Sequence, residues 1–378
     1  MRVLIAFDKF KDALGAEPAC YSVARVLQEK HPDWQLDLCP LTDGGEGFTE
    51  TLTHSANGRH EPVDVTDPRG RLVIAAVGAA AYDKISPAAR ARLALEKTEH
   101  IAIVDLASAS GISRLLVEQR DPWLTTTYGT GQLLRAAATR GHAILLGIGG
   151  SATNDLGLGA LAALGFKFLD AAGATVAVPA PATWERIQRV DCSSAIKLPR
   201  IFIACDVINT LLGPHGATAT FGPQKGLKPE DLPRLEAQAA RMAALLCEAC
   251  GQPPSLADTP GAGAAGGIGF GLMVAYGAKL VPGFDLVSDW LGLPLRLVAA
   301  DLVLTGEGRF DATSLGGKGP GRLVAEARRL GKPVHVFAGS LGVPADEAFH
   351  CITPAGLPLA EALPRTAELL AASVGRVL

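Results

Sequence analysis

The feature that most constrains this fold is a pattern repeated along the chain: a short apolar run, a glycine-rich polar loop, then a helix-forming stretch. It is clearest over residues 143–166. Ala143-Ile144-Leu145-Leu146-Gly147-Ile148 has the length and composition of a buried strand, and Ala160-Leu161-Ala162-Ala163-Leu164 consists of helix formers. Between them stand Gly149-Gly150-Ser151-Ala152-Thr153-Asn154-Asp155, which offer backbone N–H groups, hydroxyls, an amide and a carboxylate. Gly149 and Gly150 have no Cβ, so a ligand can approach the backbone closely. Asn154 or Asp155 can cap the helix, whose N-terminus attracts anions. Taken alone, such a loop is more often a plain glycine turn with an N-cap; its recurrence elsewhere points to a site.

The same order opens the chain. Arg2-Val3-Leu4-Ile5-Ala6-Phe7 reads as a strand, Asp8-Lys9-Phe10-Lys11-Asp12 as its loop, and residues 17–30 as a helix with Ala19, Val23, Val26 and Leu27 on one face. A strand over 34–41 leads to Thr42-Asp43-Gly44-Gly45-Glu46-Gly47 and another helix. Such alternation builds a parallel α/β sheet, whose ligands collect at the carboxyl ends of its strands. Asp8, Lys11, Asp43 and Glu46 fall at that edge. Residues 60–77, with Thr66-Asp67-Pro68-Arg69-Gly70 at the bend, predict a β-hairpin, and 84–97 an exposed helix or lid. Buried strands return at 101–106 and at 201–205, the second ending in Asp206.

After residue 283 the opening pattern comes back: a strand at 301–304, the polar loop Thr305-Gly306-Glu307-Gly308-Arg309-Phe310-Asp311, a helix over 321–330 and a strand over 333–338. The simplest arrangement is an α/β domain made of both chain ends, 1–61 and 289–378, with a second α/β domain, 62–288, inserted into it. The active site is then expected in the cleft between them, with the Asp8, Asp43 and Glu307 loops opposite those of Thr127, Asn154, Asp206 and Gly263. A length of 378 residues suits two domains.

Composition narrows the partners. With 48% hydrophobic and 19% charged residues the chain has a large core, and its net charge of −3, with Lys and Arg scattered, gives no basis for nucleic-acid binding. The seven cysteines are odd in number and several lie in apolar runs, as buried reduced thiols do. Cys247 and Cys250 form a CxxC inside a helical pattern, without the second ligand pair that zinc requires. The chain starts on a strand without a signal peptide, and no apolar run reaches the ~18 residues that span a bilayer. A cytoplasmic enzyme, monomer or homodimer, acting on a small molecule is expected.

GxxxxGK[ST], HExxH and GxSxG are absent. Gly261-Ala262-Gly263-Ala264-Ala265-Gly266 matches GxGxxG with Asp285 beyond it, but residues 255–260 are turn-like, and a dinucleotide fingerprint needs a preceding strand. What remains is glycine loops, carboxylates (Asp8, Asp43, Asp155, Asp206, Glu307, Asp311) and cations (Lys11, Lys225, Arg309, Lys318). Phosphoryl transfer uses this inventory: amides and cations stabilise the phosphoryl oxygens, carboxylates hold Mg2+, and one carboxylate takes the hydroxyl proton. A nicotinamide-dependent hydroxy-acid oxidoreductase and a non-catalytic small-molecule binder are the alternatives.

Together the loops resemble the glycerate kinases of the bacterial class I (glycerate 2-kinase) family nearly end to end. The matching segments are Asp8-Lys9-Phe10-Lys11, Asp43-Gly44-Gly45-Glu46-Gly47, residues 125–131, 147–155, Ala204-Cys205-Asp206-Val207, 221–226, 261–267, and Thr305-Gly306-Glu307-Gly308-Arg309 with Gly317-Lys318. The resemblance implies ATP-dependent phosphorylation of D-glycerate to 2-phosphoglycerate, a flavodoxin-like domain from the chain ends, and an inserted domain of a different α/β fold. Asp206, Lys11 and Arg309 are the expected catalytic residues, Asp206 as proton acceptor because the apolar strand before it holds it rigidly. Asp8, Asp43, Gly44, Gly45, Thr127, Gly149, Gly150, Ser151, Thr153, Asn154, Asp155, Lys225, Gly263, Glu307 and Lys318 are the expected substrate or phosphate ligands; the metal ligands stay open. The chain departs from the family at Asp12-Ala13, where Gly-Ser is usual, at Ile208-Asn209-Thr210, where Thr-Asn-Pro is usual, at Asp155-Leu156-Gly157, where Asp-Gly-Gly is usual, and in a longer 84–97 segment. The hydroxyls lost at Ala13 and Ile208 bear on substrate preference more than on reaction class.

Overall fold

Every residue from Val3 to Phe7 is fully buried, and a continuous apolar run of this kind belongs in a parallel sheet covered on both faces. The structure, a computed structural model, describes residues 1–97, 99–315, 319–344 and 346–378. In chain order the strands are β1 (Arg2–Phe7), β2 (Gln35–Leu38), β3 (Arg59–Thr66), β4 (Leu72–Ala81), β5 (His100–Asp105) and β6 (Ala143–Gly147). They continue as β7 (Lys167–Leu169), β8 (Arg189–Asp191), β9 (Arg200–Ala204), β10 (Lys279–Val281), β11 (Leu302–Asp311), β12 (Val334–Gly342) and β13 (Phe349–Cys351). The chain divides into one compact unit of Met1–Asp43, Ser86–Ala89 and Phe284–Leu378 and another of Gly44–Ile85 and Arg90–Gly283.

Among the described residues, the first unit has a five-stranded, all-parallel sheet in the order β2-β1-β11-β12-β13. Counted within the unit this is 2-1-3-4-5, the order of flavodoxin-like doubly wound sheets. On one face Ala19, Cys20, Val23 and Leu27 of the helix Ala16–Lys30 share a core with Ile5, Phe7, Phe337 and Leu370; their spacing is the stripe an amphipathic helix buries. The order reverses between β1 and β11, where such sheets take ligands. Asp8 leaves β1 at that point, its N–H donating to Gly306 O at 2.9 Å.

The polar loop expected over 305–311 is instead strand. β12 runs beside β11 to its end, pairing Arg309 with Ser340 and Asp311 with Gly342. Glu307, Arg309 and Asp311 therefore project from a hydrogen-bonded ladder.

Among the described residues, the second unit carries a six-stranded sheet, β10-β9-β6-β5-β4-β3, parallel from β10 to β5 and antiparallel beyond, with a separate β7–β8 pair. β3 and β4 are the predicted hairpin. Asp67 closes its turn, accepting from the N–H groups of Arg69 (2.8 Å) and Arg71 (2.9 Å). The helix Phe48–Ser55, placed by the sequence in the first domain, packs on β4 and β5. Its buried Phe48 and Leu52 need a sheet to cover them, and that sheet belongs to the second unit, so the division falls after Asp43 rather than after 61. The 84–97 segment contains a short, largely exposed helix, Pro87–Arg92, in which Ala89 is fully buried.

Gly306, inside β11, shows how tightly the first sheet is packed. A Cβ there would lie 1.8 Å from Phe337 O and 2.9 Å from the Phe7 ring. Gly306→Ala is expected to destabilise the protein by about 1–3 kcal/mol, read as a lower urea midpoint at unchanged slope; a wild-type midpoint would contradict this packing.

Candidate active site

Asp105, Gly147, Ala204 and Val281 are register partners across β5, β6, β9 and β10. The residues that follow each of them consequently share one edge of the second unit's sheet. This row brings the loop after Gly147, the start of the 107–114 segment and Asp206 together.

One carboxylate organises the loop after β6. Asp155 is fully buried. Its Oδ2 accepts from Thr127 N–H (2.7 Å), Thr127 Oγ1 (2.8 Å), Gly159 N–H (3.2 Å) and Thr126 Oγ1 (3.4 Å), and its Oδ1 from Gly157 N–H (3.2 Å). Thr127 Oγ1 in turn accepts from Ala160 N–H at 2.9 Å. The helix Leu158–Ala163 is thereby tied to the start of the helix Tyr128–Ala137. Burial raises the Asp155 carboxyl above its ordinary value, and the bonds from Thr127, Gly159 and Gly157 oppose that shift. Both side chains, expected as ligand-binding, face the protein interior and position the loop.

Lys225 has the same inward character. It is 1% exposed, and its Nζ donates to Thr153 O at 2.6 Å. Burial pushes its pKa down to about 7, against the attraction of Asp155. Thr153 and Asn154 are fully buried. Asn154 Nδ2 donates to Thr218 Oγ1 at 3.2 Å, while Asn154 Oδ1 and Thr153 Oγ1 have no partner among the described residues.

The glycines divide by task. Gly149 N–H donates to Gly44 O at 2.9 Å, and a Cβ on Gly149 would meet Gly45 N at 2.8 Å. Its missing side chain admits a second loop of the protein, where the sequence had suggested room for a ligand. Gly150, at φ +72°, has among the described residues only Ala107 Cβ near the place of an added Cβ, at 3.6 Å. Ser151 is nearly buried and pairs with Gly111. Gly263 serves packing, since a Cβ there would lie 2.1 Å from Thr210 O. The GxGxxG stretch follows the 3-10 turn Pro254–Asp258 and not a strand, so it lacks the context of a dinucleotide site. Asp206 is exposed beyond β9, its Oδ2 lying 2.9 Å from the place a Cβ on Gly283 would take.

In the first unit, Asp8 is 5% exposed and its Oδ1 accepts from Lys9 N–H at 2.7 Å. Lys9 Nζ reaches Asp43 Oδ1 at 2.7 Å and lies 3.9 Å from Asp8 Oδ1. One ammonium thus serves carboxylates from the loops after β1 and β2. Sequence reasoning favoured Lys11, which is exposed on the tight turn where Phe10 and Leu14 exchange backbone bonds. Asp12 in that turn has φ +61°, which accounts for the glycine usual there; aspartate is among the few residues that tolerate it. Arg309 is largely exposed and pairs with Asp311 at 3.1 Å. Hydrogen bonds from Thr313, with Arg309 nearby, hold Asp311 below the usual carboxylate range. Glu307 is half-buried on β11, and Lys318 lies outside the described residues.

Sequence reasoning did not single out Lys9 or Asp105, which the structure places at the carboxyl ends of β1 and β5. Asp105 ends β5 and accepts from the N–H groups of Ser108 (2.8 Å) and Thr49 (3.3 Å). Its signal was available, a carboxylate directly after a buried strand, as at Asp8 and Asp206. Lys9 had none, because only the turn swings it back toward Asp43.

Residues 3–378 match the Glycerate kinase family. The chain belongs to the glycerate kinase family. It is 35% identical to the glycerate kinase of Bacillus subtilis (strain 168), over 99% of this chain and 98% of that one. It is 36% identical to the glycerate 2-kinase of Escherichia coli (strain K12), over 90% and 86%. A solved structure from Salmonella typhimurium LT2, assigned as glycerate kinase 2, superposes with a TM-score of 0.76 at 36% identity, covering 100% of this chain and 97% of that one. No helix among the described residues is long and apolar enough to cross a membrane.

The depressed Lys225 ammonium gives a pH signature. The unfolded chain keeps this proton up to near 10.5, the folded chain only to about 7. Between these values the unfolded state binds more protons, so stability rises with pH across that window. Wild type is expected to gain in urea midpoint on Lys225→Met from pH 7 to 10; parallel profiles would mean the ammonium is not shifted.

Proposed function

We propose that this chain transfers the γ-phosphoryl group of ATP to the C2 hydroxyl of D-glycerate, giving 2-phosphoglycerate and ADP. The observation that carries this reading is the family match over essentially the whole chain. The loop chemistry supports it: fixed backbone amides, exposed cations and a carboxylate held at a strand end are what phosphoryl transfer needs, since its catalysis is mostly positioning and charge stabilisation. In this reading Asp206 accepts the hydroxyl proton, and Lys11 and Arg309 stabilise charge on the transferring group. Gly150 and Ser151 of the loop after β6, with Gly44, Gly45 and Glu307, hold substrate or phosphate. Asp155, Thr127 and Lys225 keep that loop in shape.

Magnesium fits the donor set of the first unit. Asp8 and Asp43 present hard oxygens that already converge on one cation, the Lys9 ammonium, and Mg2+ is held by one or two carboxylates with phosphate oxygens and water completing its shell. When bound it neutralises phosphate charge. Of this chain's own groups, Lys9 keeps the two carboxylates from repelling each other. The same reading has the enzyme act in the cytoplasm, as monomer or homodimer.

A coupled assay of ADP release over a panel of small hydroxy acids, with the product read by phosphorus NMR, tests the reaction. Glycerate phosphorylated at C2 is expected; nicotinamide-dependent turnover without ADP, or phosphate on C3, would overturn it. Asp206→Asn keeps shape and loses basicity. It is expected to lower kcat by ~10²–10⁴-fold with KM little changed and the thermal midpoint retained. A near-wild-type kcat would remove Asp206 from its role.

A further inference from the structure

The second unit contains a cavity of about 570 Å³ that the roles above leave unused. It lies at the carboxyl end of β5, and its walls include Glu46, Thr49, Glu50, His60, Ser108 and Arg114. Resting on the kinase reading, we propose that this cavity takes the nucleoside part of ATP, with the triphosphate leading away toward the Gly150 loop.

Size is the first argument. Small-molecule sites span roughly 300–1,000 Å³. A three-carbon acid would leave nearly all of this cavity to water, whereas a nucleoside occupies a much larger share of it.

Charge is the second. Glu46, Glu50 and Asp105 all line the cavity, against the single guanidinium of Arg114 among its described residues. Arg114 is itself occupied, donating to Ser108 O at 2.6 Å and Ile74 O at 3.3 Å. Such a wall repels a phosphate or an organic acid. It suits a neutral ligand rich in hydroxyl and N–H donors, and a carboxylate on ribose hydroxyls is how dinucleotide sites read the sugar. Asp105 is committed to the N–H groups of Ser108 and Thr49, so Glu46 and Glu50 are the ribose candidates.

An independent observation comes from Thr49. It is 4% exposed and lines the cavity, yet its Oγ1 has no partner among the described residues. A buried hydroxyl left in this state loses hydrogen bonding that a ligand would restore. Placement agrees as well. Ala107 lines the cavity and lies 3.6 Å from the place of a Gly150 Cβ, and Gly150 O accepts from Ile112 N–H at 2.8 Å. The cavity and the glycine loop are therefore neighbours in one unit.

Two variants of the full chain test this. Ala76→Trp fills the cavity from β4, and Glu50→Gln changes one exposed wall residue without altering shape, so it also covers the case in which the tryptophan variant fails to fold. Calorimetry with ADP and magnesium, and steady-state kinetics with ATP and glycerate, are measured on each. Both variants should weaken ADP binding and raise the KM for ATP by at least ~10-fold, the scale of lost contacts to ligand hydroxyls, with the KM for glycerate within ~2-fold of wild type. Glu50→Gln should also narrow the preference for ATP over 2′,3′-dideoxy-ATP. A rise in the KM for glycerate alone would make the cavity an acid site and overturn the proposal, as would unchanged constants in both folded variants. If wild type binds ADP, the variants weaken it, and no glycerate is phosphorylated, the kinase reading fails while the nucleoside assignment stands.

Discussion

The carboxylate of Asp155 is the constraint on which the second unit's loops depend. Burying an ionised group costs several kcal/mol unless its lone pairs are met, and here five donor contacts from Thr126, Thr127, Gly157 and Gly159 meet them. Hydrogen bonds to a charged group are worth about 1.5–3 kcal/mol each, so the network holds only while all its members keep their places. That requirement fixes the exit of β6, the start of the helix Leu158–Ala163 and the entry of the helix Tyr128–Ala137 relative to one another. Lys225 continues the same logic outward by holding the carbonyl of Thr153. The charged residues that look most reactive in the sequence thus keep the loop beside them in one conformation.

The first unit reaches its arrangement by topology. The 2-1-3-4-5 order leaves a switch point between β1 and β11, and Asp8 and Glu307 arrive there because a parallel sheet sends every strand's carboxyl end to the same edge. Asp8 and Asp43 on successive loops would repel; Lys9 lets them coexist.

What could be read in the sequence was what depends on local periodicity. The β3–β4 hairpin, the buried strands, the helix Ala16–Lys30 and the return of the opening pattern after residue 283 all follow from apolar spacing and turn residues. The glycine-rich and carboxylate-bearing loops to which the reaction is assigned above were visible for the same reason. What escaped depends on partners distant in sequence. β11 runs on to Asp311 because β12 lies beside it. Gly149 is glycine because the Gly44–Gly45 backbone occupies the space a side chain would need. Asp155 turns inward because Thr127, twenty-eight residues away, supplies two donors. No window of a dozen residues contains such facts.

The extension of β11 through Glu307, Gly308 and Arg309 also governs how this region can change over evolution. In a paired strand successive side chains point to opposite faces, and the pairing with β12 leaves no slack in the register. Gaining or deleting one residue between 305 and 311 would invert every side chain beyond it, sending Arg309 to the side now faced by its neighbours. The 8–14 turn carries no such parity, because a turn absorbs a change of length by altering its own dihedral angles. Variation in length should therefore be admitted after β1 and barred within β11, even though both stretches read as polar, glycine-bearing or charged segments at the end of a strand.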